Sequence, residues 1–494
     1  MQTKKRYRRA YEKDLPLLST INNKIDGIIR WCTPSIHPAV PKARGIYDND
    51  ISISYHGLGN PSLNTGIFKE AYQKAAAAYG SDHTLFSVNG SSGSNFMVLR
   101  ALKHQLGGVN MLLQRNVHKS ISVAIEDFQI DATYLQPHYD NKLQIFIPNT
   151  TKEILDGLRE NPRTNVLLIT NPTYEGLSIN LSGLVQEARK ANPDLIIFVD
   201  EAWGAHFPFS KKLPPSAMES GADICVQSTH KQGSGLQQTG MIHWQGNRLS
   251  SKSMMDSYKS LLTTSPSFHL LASLDGTRYL METKGGEIID YLLEVSDLLR
   301  NGLDVLPGVE VVNPSKLKRQ YDQIEFLDES KILVNIEQTG LTGYEIAHYL
   351  EKEYRVIVEK YEANNILFLT TFQNNKFEAK ETVKSFRHSL QDLKNKKKSE
   401  KPSFPEFPTE IIKSVPSYEI SKNKLKAAGL EDAAGKICAE DIVPYPPGIP
   451  LIAKGEEIQK EHINYLKALK NTSGLISVVM NDYNMRTVLT VDTS

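Results

Sequence analysis

Cysteine is scarce in this sequence of 494 residues, and its scarcity limits how the fold can be held together. The three cysteines, Cys32, Cys225 and Cys438, lie far apart and form no CxxC pair. A disulfide framework or a zinc site would need paired or clustered cysteines. The sequence therefore predicts neither a disulfide nor a metal site, and it fits a reducing compartment.

Long apolar runs are also missing. No segment approaches the roughly 20 apolar residues that are needed to span a bilayer. The basic start is interrupted by Glu12, Lys13 and Asp14 before the apolar core of a signal peptide can form. We therefore expect a soluble, cytoplasmic protein with no membrane partner.

The sequence has no excess of either charge. Its 57 basic and 56 acidic side chains nearly cancel, whereas nucleic-acid-binding proteins usually carry a basic surplus. The basic run at residues 4–9 is an exception, and we interpret it as a solvated arm or a subunit contact rather than a polyanion site. We predict no nucleic-acid partner.

The sequence does contain short apolar runs, and these alternate with helical patterns. The runs at residues 166–169, 195–199 and 224–226 are continuous, which is typical of parallel strands covered on both faces. The pattern predicts an α/β fold with a mostly parallel sheet. The length indicates several domains. We predict an N-terminal arm at 1–60, a large domain at 61–285, a small α/β domain at 286–393, a linker at 394–408 and a C-terminal domain at 409–494.

A loop rich in glycine and serine precedes one of the predicted helices. Residues 89–95 read Asn-Gly-Ser-Ser-Gly-Ser-Asn. Glycines let the backbone approach an anion, and hydroxyl groups and the first N–H groups of a helix can bind it. A turn that merely caps the helix is the alternative. A P-loop nucleotide site is disfavoured, because no Gly-Lys-Ser/Thr follows.

Three further polar residues follow predicted strands. Asp200, Lys231 and His118 each come at or shortly after the end of an apolar run, and ligands of open parallel sheets bind beyond the carboxyl ends of the strands. A charged lysine at such a place is costly unless its amine is neutralised or bonded. Each residue also has an ordinary alternative: a helix N-cap for Asp200, a surface loop for Lys231 and a structural role for His118.

Together these features match the needs of pyridoxal 5'-phosphate (PLP). This cofactor requires a phosphate cradle, a group stacked on its ring, an anion at the pyridine nitrogen and an amine that forms an imine with its aldehyde. The glycine loop, His118, Asp200 and Lys231 would supply these four in turn. We therefore predict a PLP site.

Several segments resemble the PLP-dependent Orn/Lys/Arg decarboxylase family, whose fold is that of aspartate aminotransferase (fold type I). The segments that carry the resemblance, in the family's order, are residues 90–95, 115–120, 170–176, 200–203, 228–231, 263–267 and 439–450. The resemblance implies a large PLP-binding domain with a mostly parallel sheet, a small α/β domain and a C-terminal domain. The motifs Gly-Ser-Ser-Gly-Ser-Asn and Asp-Glu-Ala-Trp look closest to those of bacterial arginine decarboxylases.

The resemblance also implies a role for each matching residue. Lys231 corresponds to the imine lysine, Asp200 to the partner of the pyridine nitrogen and His118 to the ring-stacking residue. His230 or Lys231 is expected to return a proton to the substrate. The other expected cofactor contacts are Ser91, Ser92, Ala202, Ser228, His230, Thr264 and Ser265, of which the last two would reach a neighbouring subunit's cofactor. Trp203 and Glu440 are expected at the substrate end.

The implied activity is decarboxylation of a basic L-amino acid, with arginine ranked ahead of lysine and ornithine. Two departures from the family pattern bear on this expectation. Residues 232–240 replace a more apolar run after Lys231, and the receiver-like N-terminal wing of the large family members is missing. We therefore expect a homodimer or small homo-oligomer. The alternatives are a PLP-dependent aminotransferase or oxidase acting on arginine, and a non-catalytic regulatory or assembly homologue.

Overall fold

The computed structural model describes residues 29–32, 35–37, 39–40, 52, 58–396, 405–412, 415–420, 422–445, 449–470 and 477–492. The basic run at residues 4–9 and residues 446–448 of the motif segment 439–450 lie outside the described residues, as does most of the predicted linker. Within the described part of the chain, no helix is long and apolar enough to cross a membrane.

The helices are numbered here in chain order. They are α1 (Gly66–Tyr79), α2 (Gly90–Leu106), α3 (Lys119–Asp127), α4 (Thr151–Glu160), α5 (Leu181–Ala191), α6 (Thr229–Gln232), α7 (Ser251–Leu261), α8 (Phe268–Asp304), α9 (Pro314–Gln320), α10 (Gly343–Tyr354), α11 (Lys376–Lys396), α12 (Ser417–Ile420) and α13 (Lys460–Lys470). Short 3-10 helices cover Pro61–Leu63, Phe207–Phe209, Glu337–Thr339 and Leu430–Asp432.

The strands are numbered in the same way. They are β1 (Ile29–Trp31), β2 (His83–Ser87), β3 (Asn110–Leu113), β4 (Asp131–Tyr134), β5 (His138–Asp140), β6 (Ile145–Ile147), β7 (Val166–Thr170), β8 (Leu177–Ser178), β9 (Ile196–Asp200), β10 (Ile224–Gln227), β11 (Gly240–Trp244), β12 (Glu310–Val311), β13 (Phe326–Leu327), β14 (Lys331–Asn335), β15 (Val356–Val358), β16 (Lys360–Tyr361), β17 (Asn365–Leu369), β18 (Leu425–Gly429), β19 (Val443–Tyr445), β20 (Ser477–Val479) and β21 (Thr487–Val491).

A seven-stranded sheet forms the centre of the large domain. Its strand order is β2-β11-β10-β9-β7-β3-β4. The five strands from β10 to β4 run parallel to one another, whereas β11 is antiparallel to both of its neighbours. This topology confirms the expected mostly parallel sheet, and it collects the carboxyl ends of β3, β7, β9 and β10 at one edge.

Both faces of this sheet are covered, which explains why its strands are apolar without alternation. Successive side chains of a strand point to opposite faces. Accordingly, Phe198 packs in one hydrophobic cluster, whereas its neighbours Ile197 and Val199 pack in another. The burial of these strands on both sides fixes the positions of the polar residues that follow them.

The small domain is built on an antiparallel sheet in the order β12-β14-β17-β16. The 37-residue helix α8 begins near the large sheet and packs at its other end against α11 and β12. β1, which lies in the region predicted to be an N-terminal arm, pairs in parallel with β15. Trp31 of this strand is fully buried, and its indole N–H donates to the Thr382 hydroxyl at 2.7 Å. Part of the arm is therefore integral to the small domain.

The C-terminal domain contains the antiparallel pairs β18-β21 and β19-β20, with α13 packed in the same hydrophobic cluster. A buried ion pair joins it to the large domain. The guanidinium of Arg115 makes two hydrogen bonds to the carboxylate of Glu456, at 2.6 and 2.9 Å. Arg115 lies three residues before His118 in the sequence, so this contact fixes the C-terminal domain beside the carboxyl edge of the sheet.

Candidate active site at the carboxyl edge of the sheet

Lys231 lies on α6, directly after the buried strand β10. The backbone N–H of Lys231 donates to the carbonyl of Ser228 at 3.0 Å. This turn places the amine of Lys231 at the carboxyl edge, 4.2 Å from the ring centroid of Trp203. Burial lowers the pKa of Lys231, and the charges of Asp200 and Glu359 oppose this shift. A lysine with a lowered pKa attacks an aldehyde more readily, because more of its amine is unprotonated at neutral pH.

Asp200 is buried at the end of β9, the strand adjacent to β10. Its carboxylate accepts hydrogen bonds from the Asn95 side-chain amide at 3.3 Å and the Ala202 backbone N–H at 3.1 Å. Burial raises the pKa of Asp200, although Lys231 and both hydrogen bonds act in the opposite direction. A buried carboxylate of this kind is stabilised by a further N–H donor or positive charge.

His118 occupies the N-cap of α3. Its Nδ1 accepts from the backbone N–H of Ser120 at 3.2 Å and lies 2.9 Å from the Ser120 hydroxyl. Burial lowers the pKa of His118 to about 4, and the charges of Lys231 and Lys119 add to this effect. The imidazole is therefore neutral at pH 7, and a neutral ring suits stacking on a flat heteroaromatic group.

The predicted anion cradle forms at the start of α2. The Ser228 hydroxyl donates to the Ser91 hydroxyl at 2.7 Å, and both residues are buried. Gly90 has a φ of +62°, and a Cβ placed there would lie 3.7 Å from Cε1 of His230. Nδ1 of His230 donates to the Thr239 carbonyl at 2.8 Å, and burial is the main cause that lowers its pKa to about 4. Hydroxyl groups, a neutral imidazole and the N-terminus of a helix thus converge on one point.

A pocket at the carboxyl edge unites five of the predicted residues. Its walls are formed by Asn116, His118, Phe146, Thr170, Pro172, Thr173, Tyr174, Glu175, Asp200, Ala202, Trp203, Lys231 and Ile449. The motif at residues 170–176 supplies the largest share of this lining. Ile449 comes from the C-terminal domain, so the pocket is closed by a part of the chain far from Lys231 in sequence.

The chemical character of the side chains in and beside this pocket fits PLP. An amine with a lowered pKa, a buried carboxylate and a neutral imidazole line the same pocket. The hydroxyl pair of Ser91 and Ser228 lies at a helix N-terminus, which is a favourable place for a phosphate. Lys231, Asp200 and His118 would hold the aldehyde and ring ends, and the serine pair with His230 would hold the phosphate.

Four predicted residues lie elsewhere in this single chain. Ser92 is exposed on α2, and Thr264 and Ser265 are exposed between α7 and α8. Glu440 accepts hydrogen bonds from the backbone N–H groups of Asn481 and Leu489 within the C-terminal domain. Among the described residues, none of these four lines the pocket. The proposed contact of Thr264 and Ser265 with a neighbouring subunit stays a prediction.

The sequence interpretation missed a second lysine beside the pocket. Lys331, the first residue of β14, is almost fully buried, and its amine lies 4.0 Å from the ring centroid of Trp203. It donates to the Tyr174 carbonyl at 2.5 Å. Burial is the main cause that lowers the pKa of Lys331 to about 7. The sequence interpretation looked for polar residues that follow an apolar run. Lys331 precedes such a run, because it is the first residue of its strand, and was therefore overlooked.

This fold and the chemistry of the pocket fit a PLP-type α/β enzyme, and comparison with known proteins identifies the family. A family model described as the major domain of Orn/Lys/Arg decarboxylases matches residues 44–378, and one described as their C-terminal domain matches residues 397–475. The chain belongs to the Orn/Lys/Arg decarboxylase family, which is PLP-dependent. The resemblance drawn from the motifs is thereby confirmed.

Individual relatives agree with this assignment. An arginine decarboxylase of Halalkalibacterium halodurans is 32% identical over 453 residues, covering 90% of this chain and 89% of the relative. An arginine decarboxylase of Bacillus subtilis is 32% identical over 406 residues, covering 81% of each chain. The constitutive lysine decarboxylase of Escherichia coli is more distant, at 24% identity over 83% of this chain and 69% of the relative.

Solved structures support the same fold. A lysine decarboxylase of Francisella novicida superposes with a TM-score of 0.75 at 19% identity, covering 90% of this chain and 75% of the neighbour. The E. coli constitutive lysine decarboxylase gives a TM-score of 0.72 at 22% identity, with the same coverage of 90% and 75%. The expected fold of PLP enzymes of type I is therefore confirmed.

Proposed function

We propose that this protein decarboxylates a basic L-amino acid with PLP as cofactor, and that its substrate is arginine, which would yield agmatine and CO2. The observation that carries the proposal is the convergence of Lys231, Asp200 and His118 on one pocket. The relatives named arginine decarboxylase support the ranking of arginine ahead of lysine.

Two sets of residues would hold the pyridine nitrogen and the phosphate of the cofactor. When bound, PLP supplies a conjugated ring that accepts the electron pair left on Cα as CO2 departs. Asp200 would stabilise a proton on the pyridine nitrogen, because its buried carboxylate has few other donors. Ser91, Ser228 and the first N–H groups of α2 would bind the phosphate.

Proton transfer falls to Lys231 in this proposal. A proton must return to Cα after CO2 is lost, and the amine of Lys231 lies at the pocket with a lowered pKa. His230 is the weaker candidate, because its Nδ1–H is already bonded to the Thr239 carbonyl. The aromatic walls formed by Trp203, Tyr174 and Phe146 would keep water from the reacting carbon.

The test combines a spectrum with product analysis. The protein reconstituted with PLP should show a visible absorbance band that Lys231→Ala abolishes. Incubation with arginine, lysine and ornithine, each in turn, should release CO2 and the matching amine, with the highest kcat/KM for arginine. Oxo-acid instead of amine would point to the aminotransferase alternative, and failure of the wild type to bind PLP would revive the non-catalytic one.

We also place the working enzyme in the cytoplasm as a homodimer or larger homo-oligomer. Thr264 and Ser265, exposed at one end of α8, would then approach the cofactor of a neighbouring subunit. Light scattering measures the assembly directly. A monomer with full activity would remove the proposed role of these two residues.

A further inference from the structure

A second cavity adjoins the candidate cofactor pocket. The two share Phe146 and Ile449 in their walls. The second cavity is lined on its polar side by Lys360 and Glu362, from β16 and the turn that follows it. Phe146 and Ile449 therefore form an apolar wall that is common to both cavities.

A buried charged cluster connects the two cavities. The amine of Lys360 lies 2.8 Å from the carboxylate of Glu175, which lines the cofactor pocket, and 3.6 Å from that of Glu362. The side chains of Lys360 and Glu175 are 2% and 5% exposed. Burial lowers the pKa of Lys360, but Glu175 and Glu362 outweigh it, so that the net shift is upward. The lysine is thus firmly protonated between two acids.

The carboxylates in this region outnumber the cations. Glu359 is a third acid, and it accepts a hydrogen bond from the Tyr174 hydroxyl at 2.8 Å. Against these three carboxylates stand Lys360 and the more distant Lys331, which is directed to the Tyr174 carbonyl. Lys360 alone therefore contacts two of the three carboxylates, Glu175 and Glu362. Burial raises the pKa of Glu362, while Lys360 and Tyr344 act against that shift, so a further cation beside Glu362 would stabilise its charged form.

We propose that Glu362, together with Glu175, binds the distal cationic group of the substrate in the cavity beyond Phe146 and Ile449. This inference rests on the proposed function and names the residues that would give it its preference for basic amino acids. The apolar pair would contact the methylene groups of the substrate. The Tyr344 hydroxyl donates to one oxygen of Glu362 at 3.3 Å, and a planar guanidinium could pair with the carboxylate through two parallel hydrogen bonds.

Glu440 is the competing residue, because the family resemblance assigned the substrate's far end to it. In this chain its carboxylate is bonded to two backbone N–H groups of the C-terminal domain. The two residues can be separated by experiment, since each can be changed to glutamine without loss of side-chain volume.

The experiment measures competitive inhibition of the PLP-loaded enzyme by agmatine and by its uncharged urea isostere, N-carbamoylputrescine. A hydrogen bond to a charged group contributes about 1.5–3 kcal/mol, or roughly ten- to a hundredfold in affinity. Glu362→Gln should raise the Ki of agmatine by about this factor and change that of the isostere by less than about twofold. Glu175→Gln should shift the same ratio in the same direction. Glu187→Gln, at an exposed position of α5, is the matched control.

Each outcome is decisive. A raised agmatine Ki in Glu362→Gln with an unchanged isostere supports the inference, and an equal loss for both ligands shows a merely structural role and overturns it. If Glu440→Gln alone moves the ratio, the distal site lies at Glu440 and the inference is wrong. Should Glu362→Gln fail to fold, Glu175→Gln carries the same comparison. A wild type that decarboxylates no basic amino acid would instead refute the proposed function.

Discussion

The ion pair between Arg115 and Glu456 allows a quantitative prediction of stability. Both side chains are 4% exposed, and two hydrogen bonds join them. Replacing Arg115 by Met leaves the carboxylate buried with the Ala453 N–H, at 2.8 Å, as its remaining close donor among those described. Breaking one partner of a buried pair costs about 3–5 kcal/mol. Because one hydrogen bond survives, we expect a loss of about 3 kcal/mol.

Urea unfolding followed by far-ultraviolet circular dichroism measures this loss as a shift in the free energy of unfolding. The double variant Arg115→Met/Glu456→Met should recover much of it, because no unpaired charge then stays buried. Lys152→Met is the matched control: it breaks an exposed i,i+4 pair with Asp156, and exposed pairs of this kind contribute little to stability. A loss below about 1 kcal/mol in Arg115→Met would refute the reasoning that breaking this pair leaves an uncompensated buried charge.

Three further predictions concern the candidate site. Asp200→Asn should keep the visible cofactor band but lower kcat by roughly ten- to a hundredfold, the equivalent of one charge-assisted hydrogen bond. An unchanged kcat in steady-state assays would exclude a role of Asp200 at the pyridine nitrogen. Lys331 has a folded pKa of about 7, below its usual value of 10.5, so the unfolded chain binds more protons between these pH values and stability should rise with pH there, by at most about 1.4 kcal/mol per pH unit. Urea titrations at pH 7 and 9 should show a smaller rise in Lys331→Met, and equal slopes would contradict the assignment. Gly176 has a φ of +94°, and a Cβ there would lie 3.1 Å from side-chain carbons of both Asp328 and Lys331. Gly176→Ala should therefore lower the free energy of unfolding by about 1–3 kcal/mol. A thermal melt against wild type measures this loss, and a change under about 0.5 kcal/mol would count against the prediction.

The parts of the site that follow the strands of the large sheet were predictable from sequence. Asp200 and Lys231 come at or just after buried apolar runs, and parallel strands bring their carboxyl ends to one edge. The order of those runs along the chain was enough to predict a mostly parallel sheet, because each run is too apolar for a strand with a solvated face.

The remaining walls of the pocket come from other domains, and no local sequence pattern predicts them. Lys331 and Ile449 reach the site only through the packing of the small and C-terminal domains on the large sheet. Glu175 lay inside a motif that the sequence interpretation quoted, but nothing local showed that Lys360, 185 residues later, would pair with it. Glu440 illustrates the converse, since a motif match does not tell whether the carboxylate faces a ligand or caps its own backbone.

The contribution of Ile449 to the pocket has a consequence for the order of events during protein synthesis. A ribosome adds about 5–20 residues per second, so roughly 10–45 s separate the emergence of Lys231 from that of Glu456, which anchors the segment around Ile449. During that interval the nascent chain would present its reactive amine in an uncovered cleft. A cofactor bound to the nascent chain during that interval would be held before Ile449 closes the pocket.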